Sequence, residues 1–170
     1  SLRPTPDRVR ETLFNWLGQD LTGWRCLDLC AGTGALGFEA ASRGASHVTL
    51  VENQAVLLAQ LRRNRATLQA DAVHIVQGDG LSSLRDLARQ QPHSLDAIFF
   101  DPPFSATWYA PALQAALGAL AANGFLYLEA AREWSHDELA ELGWQRARHL
   151  KAGHVHAHLL RPAAQPQAAP

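Results

Sequence analysis

Asp101-Pro102-Pro103-Phe104 follows the apolar run "LDAIFF" (95–100) and sets a carboxylate beside two residues that carry no N–H. Carbonyls near Asp101 and Pro102 are therefore left to accept hydrogen bonds from a bound molecule. A planar amine suits them. The lone pair of an exocyclic base amine is delocalised into its ring, which makes the nitrogen a poor nucleophile. If the Asp101 carboxylate and the Pro102 carbonyl accept its two hydrogens, the nitrogen turns pyramidal and aims its lone pair at an electrophilic carbon. Such catalysis is mostly orientation plus electrostatics, as an in-line displacement requires. Pro103 stiffens the turn, and Phe104 offers a ring on which a flat substrate stacks. The plainer reading is a sharp exit turn with Phe104 in the core, and it loses ground once three further acids are counted.

Those acids surround a glycine loop. In "CLDLCAGTGALGFEA" (26–40), Gly32, Gly34 and Gly37 spell G-x-G-x-x-G, and Glu52 follows at about the distance expected of a ribose-binding acid. A dinucleotide would lay its pyrophosphate on this turn, where the helix N-terminus favours an anion. Asp28 would then stand beside that anion and disfavour it. S-adenosyl-L-methionine has no phosphate; its ammonium, sulfonium, ribose hydroxyls and adenine amino group can all use acids. On that reading Glu52 accepts from the ribose hydroxyls and Asp79 from the adenine amino group, while Ala31, Gly32, Thr33 and Gly34 line the methionine portion. Asp28, Asn53 and Gly80 complete the expected donor-binding set. The glycines alone are weak evidence; the acids at successive strand ends carry the assignment.

The elements that must hold these residues are legible in the hydrophobic pattern. Thr5 can cap a helix with Pro6 at its first position, running to about residue 17 on Val9, Leu13, Phe14, Trp16 and Leu17. Apolar strands are expected at 25–29, 47–52, 73–77, 95–100 and 124–130. Helices are expected near 34–43, 55–68 and 82–89, and from after Asp101-Pro102-Pro103 to Leu120. Strand and helix alternate, and the strands read as buried on both faces. The fold class is therefore α/β, a Rossmann-like, doubly wound parallel sheet. The end differs: "WQRARHLKAGHVHAHLL" (144–160) gives two extended runs about Ala152-Gly153, an antiparallel hairpin at the sheet edge.

A chain of 170 residues, 47% hydrophobic and 18% charged, suits one domain, expected over 1–161 with a tail from 162 to 170 that lacks apolar periodicity. The net charge of -1 neither supports nor excludes nucleic acid, but arginines gather at Arg3/Arg8/Arg10, Arg62/Arg63/Arg65 and Arg146/Arg148. Cys26 and Cys30 read as buried small hydrophobes, too far apart along a strand to bridge. His154, His156 and His158 alternate on one strand, yet no acid or cysteine lies near them in sequence, so no metal is assigned. Trp108 and Tyr109 suit either the flanks of a target base or a helix start, and Glu129 ends a strand with its role open. No run is long and apolar enough to span a membrane, and a cytoplasmic monomer is expected.

Beyond these readings, the chain resembles the RsmD family of 16S ribosomal RNA guanine-N2 methyltransferases within the class I S-adenosylmethionine-dependent superfamily. The resemblance runs through "LRPTPDRVRETLFNWL" (2–17), "CLDLCAGTGALGFEAASRGA" (26–45), Val51-Glu52, "DPPF" (101–104) and "KAGHVHAHLL" (151–160). The opening segment is its specific part, because glycine loops and D-P-P-F occur in many methyltransferases. It implies a seven-stranded sheet with the last two strands antiparallel, and methylation of one guanine amine, guanine 966 in the family, on 16S RNA or the assembling small subunit. It also implies that Arg3, Thr5, Arg8, Arg10 and Glu11 cover the site and touch donor or RNA. Family members usually carry a basic stretch before this segment, and Pro6 stands where Thr is frequent. The site chemistry equally suits an adenine-N6 or protein-glutamine amine. An NAD(P)-dependent oxidoreductase would need a pyrophosphate beside Asp28, and a non-catalytic RNA-binding module would have no use for the four acids.

Overall fold

The computed structural model describes residues 6–164. Helices and strands alternate through α1 (Asp7–Trp16), β1 (Arg25–Asp28), α2 (Ala35–Ser42), β2 (His47–Glu52), α3 (Ala55–Leu68), β3 (Val73–Gln77), α4 (Gly80–Gln90), β4 (Leu95–Phe100), α5 (Tyr109–Ala119) and β5 (Leu120–Ala130). The chain then adds α6 (His136–Glu141), β6 (Trp144–Ala152) and β7 (Val155–Pro162). The seven strands form one sheet in the order β3-β2-β1-β4-β5-β7-β6. Its first five strands are parallel, whereas β7 runs antiparallel to both β5 and β6. The expected doubly wound sheet and its terminal hairpin are both present.

Alternate strand residues face opposite layers, which splits the core in two. Ala97 and Phe99 of β4 join Val9, Leu13 and Phe14 of α1 and Leu36 and Ala40 of α2 on one face. Ile98 and Phe100 join Leu84 of α4, Leu113 and Ala116 of α5 and Leu139 of α6 on the other. α1 lies against the sheet through Phe14, whose ring centroid is 6.1 Å from that of Phe99. Cys26 is fully buried in the first layer, and burial pushes its thiol up to about 12. Both cysteines are free thiols.

Several boundaries differ from the expectation, each for a local reason. α1 begins at Asp7 with Pro6 as its cap, because Pro6 is extended (φ -56°, ψ 141°) and its carbonyl accepts the first helical bond from Arg10 N–H. Thr5, expected as the cap, lies outside the described residues. α4 starts at Gly80, earlier than expected, because Asp79 caps it by accepting from Ser82 N–H at 2.9 Å. β5 starts at Leu120, directly after α5; Leu120 pairs with Leu95 ahead of a register shift. Gly124 permits the bend, since a Cβ there would lie 2.6 Å from the Leu120 side chain and 3.0 Å from Leu95 O. α6 was not expected, although Ser135 and Glu138 form a reciprocal capping box, a signal the sequence carries openly. The sheet also outlasts the expected boundary at 161: β7 includes Pro162, and Ala163 N–H donates to Gly143 O at 2.9 Å.

Gly37 packs α2 on β2. A Cβ there would collide with the fully buried Leu50 side chain and lie 3.3 Å from Val48. Gly37→Ala is expected to lower stability by about 1–3 kcal/mol through overpacking, read by urea denaturation.

Candidate active site

β1 pairs with β2 on one side and β4 on the other, so the chain's winding reverses between β1 and β4 and a crevice opens at the carboxyl ends of the strands. Asp28 and Glu52 end β1 and β2, while Asp79 and Asp101 follow β3 and β4. All four acids therefore stand along the same edge of the sheet.

The glycine loop crosses this edge on backbone contacts. Ala31 N–H donates to Val51 O at 3.0 Å, and Gly34 N–H to Ala31 O at 2.8 Å. Gly32 and Gly34 have φ of +56° and +80°, a left-handed conformation that favours glycine. A Cβ on Gly34, which caps α2, would lie 2.6 Å from Phe38 and 2.7 Å from Leu61. Thr33 is half-buried between them.

Glu52 is buried and accepts three backbone N–H bonds. Gly32 donates to Oε1, and Asn53 and Gln54 to Oε2, each at 3.0 Å. A carboxylate has about four acceptor positions, so one remains for a ligand. Glu52 thus clamps the loop to the carboxyl end of β2. Asp79 is exposed and spends one oxygen on the α4 cap. Beside it, Gly80 brings α4 close to the residue that follows β1, since a Cβ there would lie 2.5 Å from Leu29 O and 3.0 Å from the Trp108 ring.

Asp28 is the most deeply buried acid of the crevice and accepts one long bond, 3.3 Å, from Cys30 N–H. Burial, helped by the nearby Glu52 charge, pushes its carboxyl up to about 7. Below the ordinary carboxyl range both folded and unfolded chains hold this proton. As pH rises toward about 7 the unfolded chain releases it first, so the group's contribution to stability falls. Asp28→Asn keeps the acceptor oxygen and removes the charge. It should match the parent near pH 4 and exceed it at pH 8 by up to roughly 4 kcal/mol, measured by denaturation at both pH values.

At the end of β4, Asp101 is half-buried, Pro102 buried and Pro103 exposed. Ala106 N–H donates to Pro103 O at 2.9 Å and closes the turn. Phe104 is 37% exposed, which counts against a plain core role for it. Trp108 and Tyr109 instead pack on Phe100, with centroids 5.0 and 5.4 Å away, and pin the start of α5. On neighbouring β5, Glu129 is fully buried and accepts from Tyr127 Oη at 2.8 Å.

The arginine clusters divide. Arg3 and Thr5 lie outside the described residues. Arg8 is exposed on α1, whereas Arg10 pairs with Asp7 at 3.2 Å and lies 3.9 Å from Glu39 of α2. Arg65 donates to Val73 O, and Arg146 to Glu133 and Trp134 O, which leaves Arg62, Arg63 and Arg148 as the exposed members of their groups. The three alternating histidines also separate. His154 is exposed at the turn, while His158 is buried, accepting at Nε2 from Trp134 N–H and donating from Nδ1 to Leu128 O.

The chain resembles known proteins over the same residues. The family model described as conserved hypothetical protein 95 matches residues 1–161. Ribosomal RNA small subunit methyltransferase D of Escherichia coli K12 is 43% identical over 129 residues, 76% of this chain and 61% of that protein. The Haemophilus influenzae protein of the same name is 45% identical over 105 residues, 61% of this chain and 53% of that protein. The match thus spans less than two thirds of either relative. Among solved structures, Escherichia coli YhhF superposes with a TM-score of 0.81 at 37% identity, covering 97% of this chain and 90% of that one. The glycine loop, the acids at the strand ends and the D-P-P-F turn therefore sit in a chain that belongs to the conserved hypothetical protein 95 family, that of the RsmD methyltransferases, with the class I methyltransferase fold.

Proposed function

We propose that this chain transfers a methyl group from S-adenosylmethionine to the exocyclic N2 amine of a guanine in 16S ribosomal RNA, the family's guanine 966. The observation that carries the reading is the placement of Asp101-Pro102-Pro103-Phe104 across the β1/β4 switch point from Asp28, with Phe104 partly exposed. The crevice suits the donor. Its loop crest at Gly32 and Gly34 has no side chains to obstruct a ligand, and Asp28, Glu52 and Asp79 provide acceptors and negative charge for a cation with a ribose. A dinucleotide suits it less, because its pyrophosphate would meet the carboxyls of Glu52 and buried Asp28, the latter charged above about pH 7.

When bound, S-adenosylmethionine supplies an electrophilic methyl on a sulfonium. Glu52 accepts from the ribose with its remaining acceptor position, Asp79 takes the adenine amino group, and Ala31 to Gly34, with Asn53 and Gly80, shape the walls. Phe104 stacks on the base, the Asp101 carboxylate and Pro102 carbonyl accept the two amine hydrogens, and Pro103 fixes the turn. Asp101 then holds the proton that the nitrogen sheds. Arg8 and Arg10 on α1, with Arg3 and Thr5 in the segment before it, are the proposed contacts to the RNA. The protein works as a cytoplasmic monomer on 16S RNA or the assembling small subunit.

The test is transfer of labelled methyl to small subunits purified from cells lacking this modification, followed by nuclease mapping. Label in N2-methylguanine at one position supports the reading. Label in N6-methyladenine, or in a protein glutamine, would move the substrate to those amines, and absence of donor binding would remove the activity altogether.

A further inference from the structure

Away from this crevice, at the hairpin edge of the sheet, three potential metal ligands from separate segments converge. Glu133 lies in the connection between β5 and α6, His149 on β6 and His156 on β7, and their ligand atoms all lie within 4.8 Å of one another. His149 Nε2 and His156 Nδ1 are 2.9 Å apart, and Glu133 Oε1 is 3.8 Å from the same His149 nitrogen. Two nitrogens each bound at about 2.1 Å to one ion, with the 2.9 Å separation seen here, subtend roughly 90° at it. A single proton lies between them at most, so one lone pair already faces the shared space.

The surroundings fix the ligands. Arg146 Nη1 holds the other carboxylate oxygen, Oε2 of Glu133, at 3.0 Å and also donates to Trp134 O at 2.9 Å, leaving Oε1 toward the histidines. The His149 and His156 rings stack with centroids 5.2 Å apart, and His158 packs 5.1 Å from His149. With both its nitrogens engaged, His158 belongs to the frame and not to the ligand set. Its neighbour His156 pairs in the sheet with Ala130, the last residue of β5, so the cluster lies at the same end of the sheet as Asp101.

We propose that Glu133, His149 and His156 form a binding site for a divalent transition-metal ion of the zinc class, with the remaining coordination positions open to water or an anion. Imidazole nitrogen and carboxylate oxygen are the donors such ions take, and calcium or magnesium would require an oxygen-rich set instead. The ion would tie the connection after β5 to the hairpin. This inference is independent of the methylation reading.

The test uses the full chain without an affinity tag, titrated with zinc chloride in competition with a chromogenic chelator, and with cobalt(II) followed by its visible absorption. One equivalent of zinc should bind, and Glu133→Gln, His149→Gln and His156→Gln should each weaken it by about tenfold or more. Glu133 is exposed, so its substitution leaves the fold intact, and circular dichroism verifies all three variants. His154→Gln, and His74→Gln at the separate stacked pair of His47 and His74, should leave zinc binding unchanged. Absence of zinc binding, equal affinity in the three variants, or loss in His74→Gln instead would overturn the site.

Discussion

Asp101→Ala should lose methyl transfer by about a thousandfold while binding S-adenosylmethionine nearly as tightly as the parent. Asp101 follows β4 at the crevice and is half-buried, so its charge acts with less solvent screening than on an open surface. Its proposed work is confined to the amine: one accepted hydrogen bond, and negative charge beside a nitrogen that becomes positive as the new bond forms. Neither interaction exists when donor alone is bound, which is why the loss should fall on the chemical step. Asp101→Asn keeps an acceptor oxygen without the charge and should retain an intermediate rate, lower than the parent by about tenfold to a hundredfold. Single-turnover methylation and donor calorimetry on the same preparations separate the two quantities. A loss of donor affinity as large as the loss of rate would remove the catalytic role.

Glu52→Ala should show the opposite profile, with donor affinity falling by about a hundredfold, the equivalent of one strong hydrogen bond to a charged acceptor. It should also cost ~1–3 kcal/mol of stability, because Gly32, Asn53 and Gln54 lose the acceptor for their N–H groups. Glu52→Gln is not a mild change here. Both carboxylate oxygens accept from backbone N–H groups, and a carboxamide can offer an oxygen on only one side, so its NH₂ must confront a donor. Calorimetry with S-adenosylhomocysteine and thermal denaturation check both effects. Unchanged affinity in a folded Glu52→Ala protein would leave Glu52 as a clamp of the loop without a ribose role.

The proposed roles of these two residues differ in how much of their setting the sequence carries. Asp101 could be read from its neighbours, since the prolines remove donors by their chemistry wherever they fold. For Glu52 the spacing from the glycines indicated a ribose acid, but its bonds to Gly32, Asn53 and Gln54 require the loop to fold back over β2. Asp79 shows the same limit: its place after β3 suggests a ligand acceptor, and its capping of α4 emerges only with the helix start in place.

The alternation of apolar strands with amphipathic helices determined the doubly wound sheet, because burial on two faces leaves parallel strands few other arrangements. Gly32, Gly34 and Gly37 likewise announced their roles, a left-handed turn at the first two and close packing at the last two, which follow from a missing Cβ. The sequence alone missed α6 despite its capping box, and placed the start of β5 late because Gly124 conceals a bend. The histidines mark the boundary most clearly. On the strand, His154, His156 and His158 looked like one set without an acidic partner. The hairpin and the connection after β5 break that set, bury His158 and bring His149 and Glu133 to His156. Periodicity along one strand fixes which side chains share a face; which residues from other segments meet them depends on strand pairing and loop paths, and these are decided only when the layers pack.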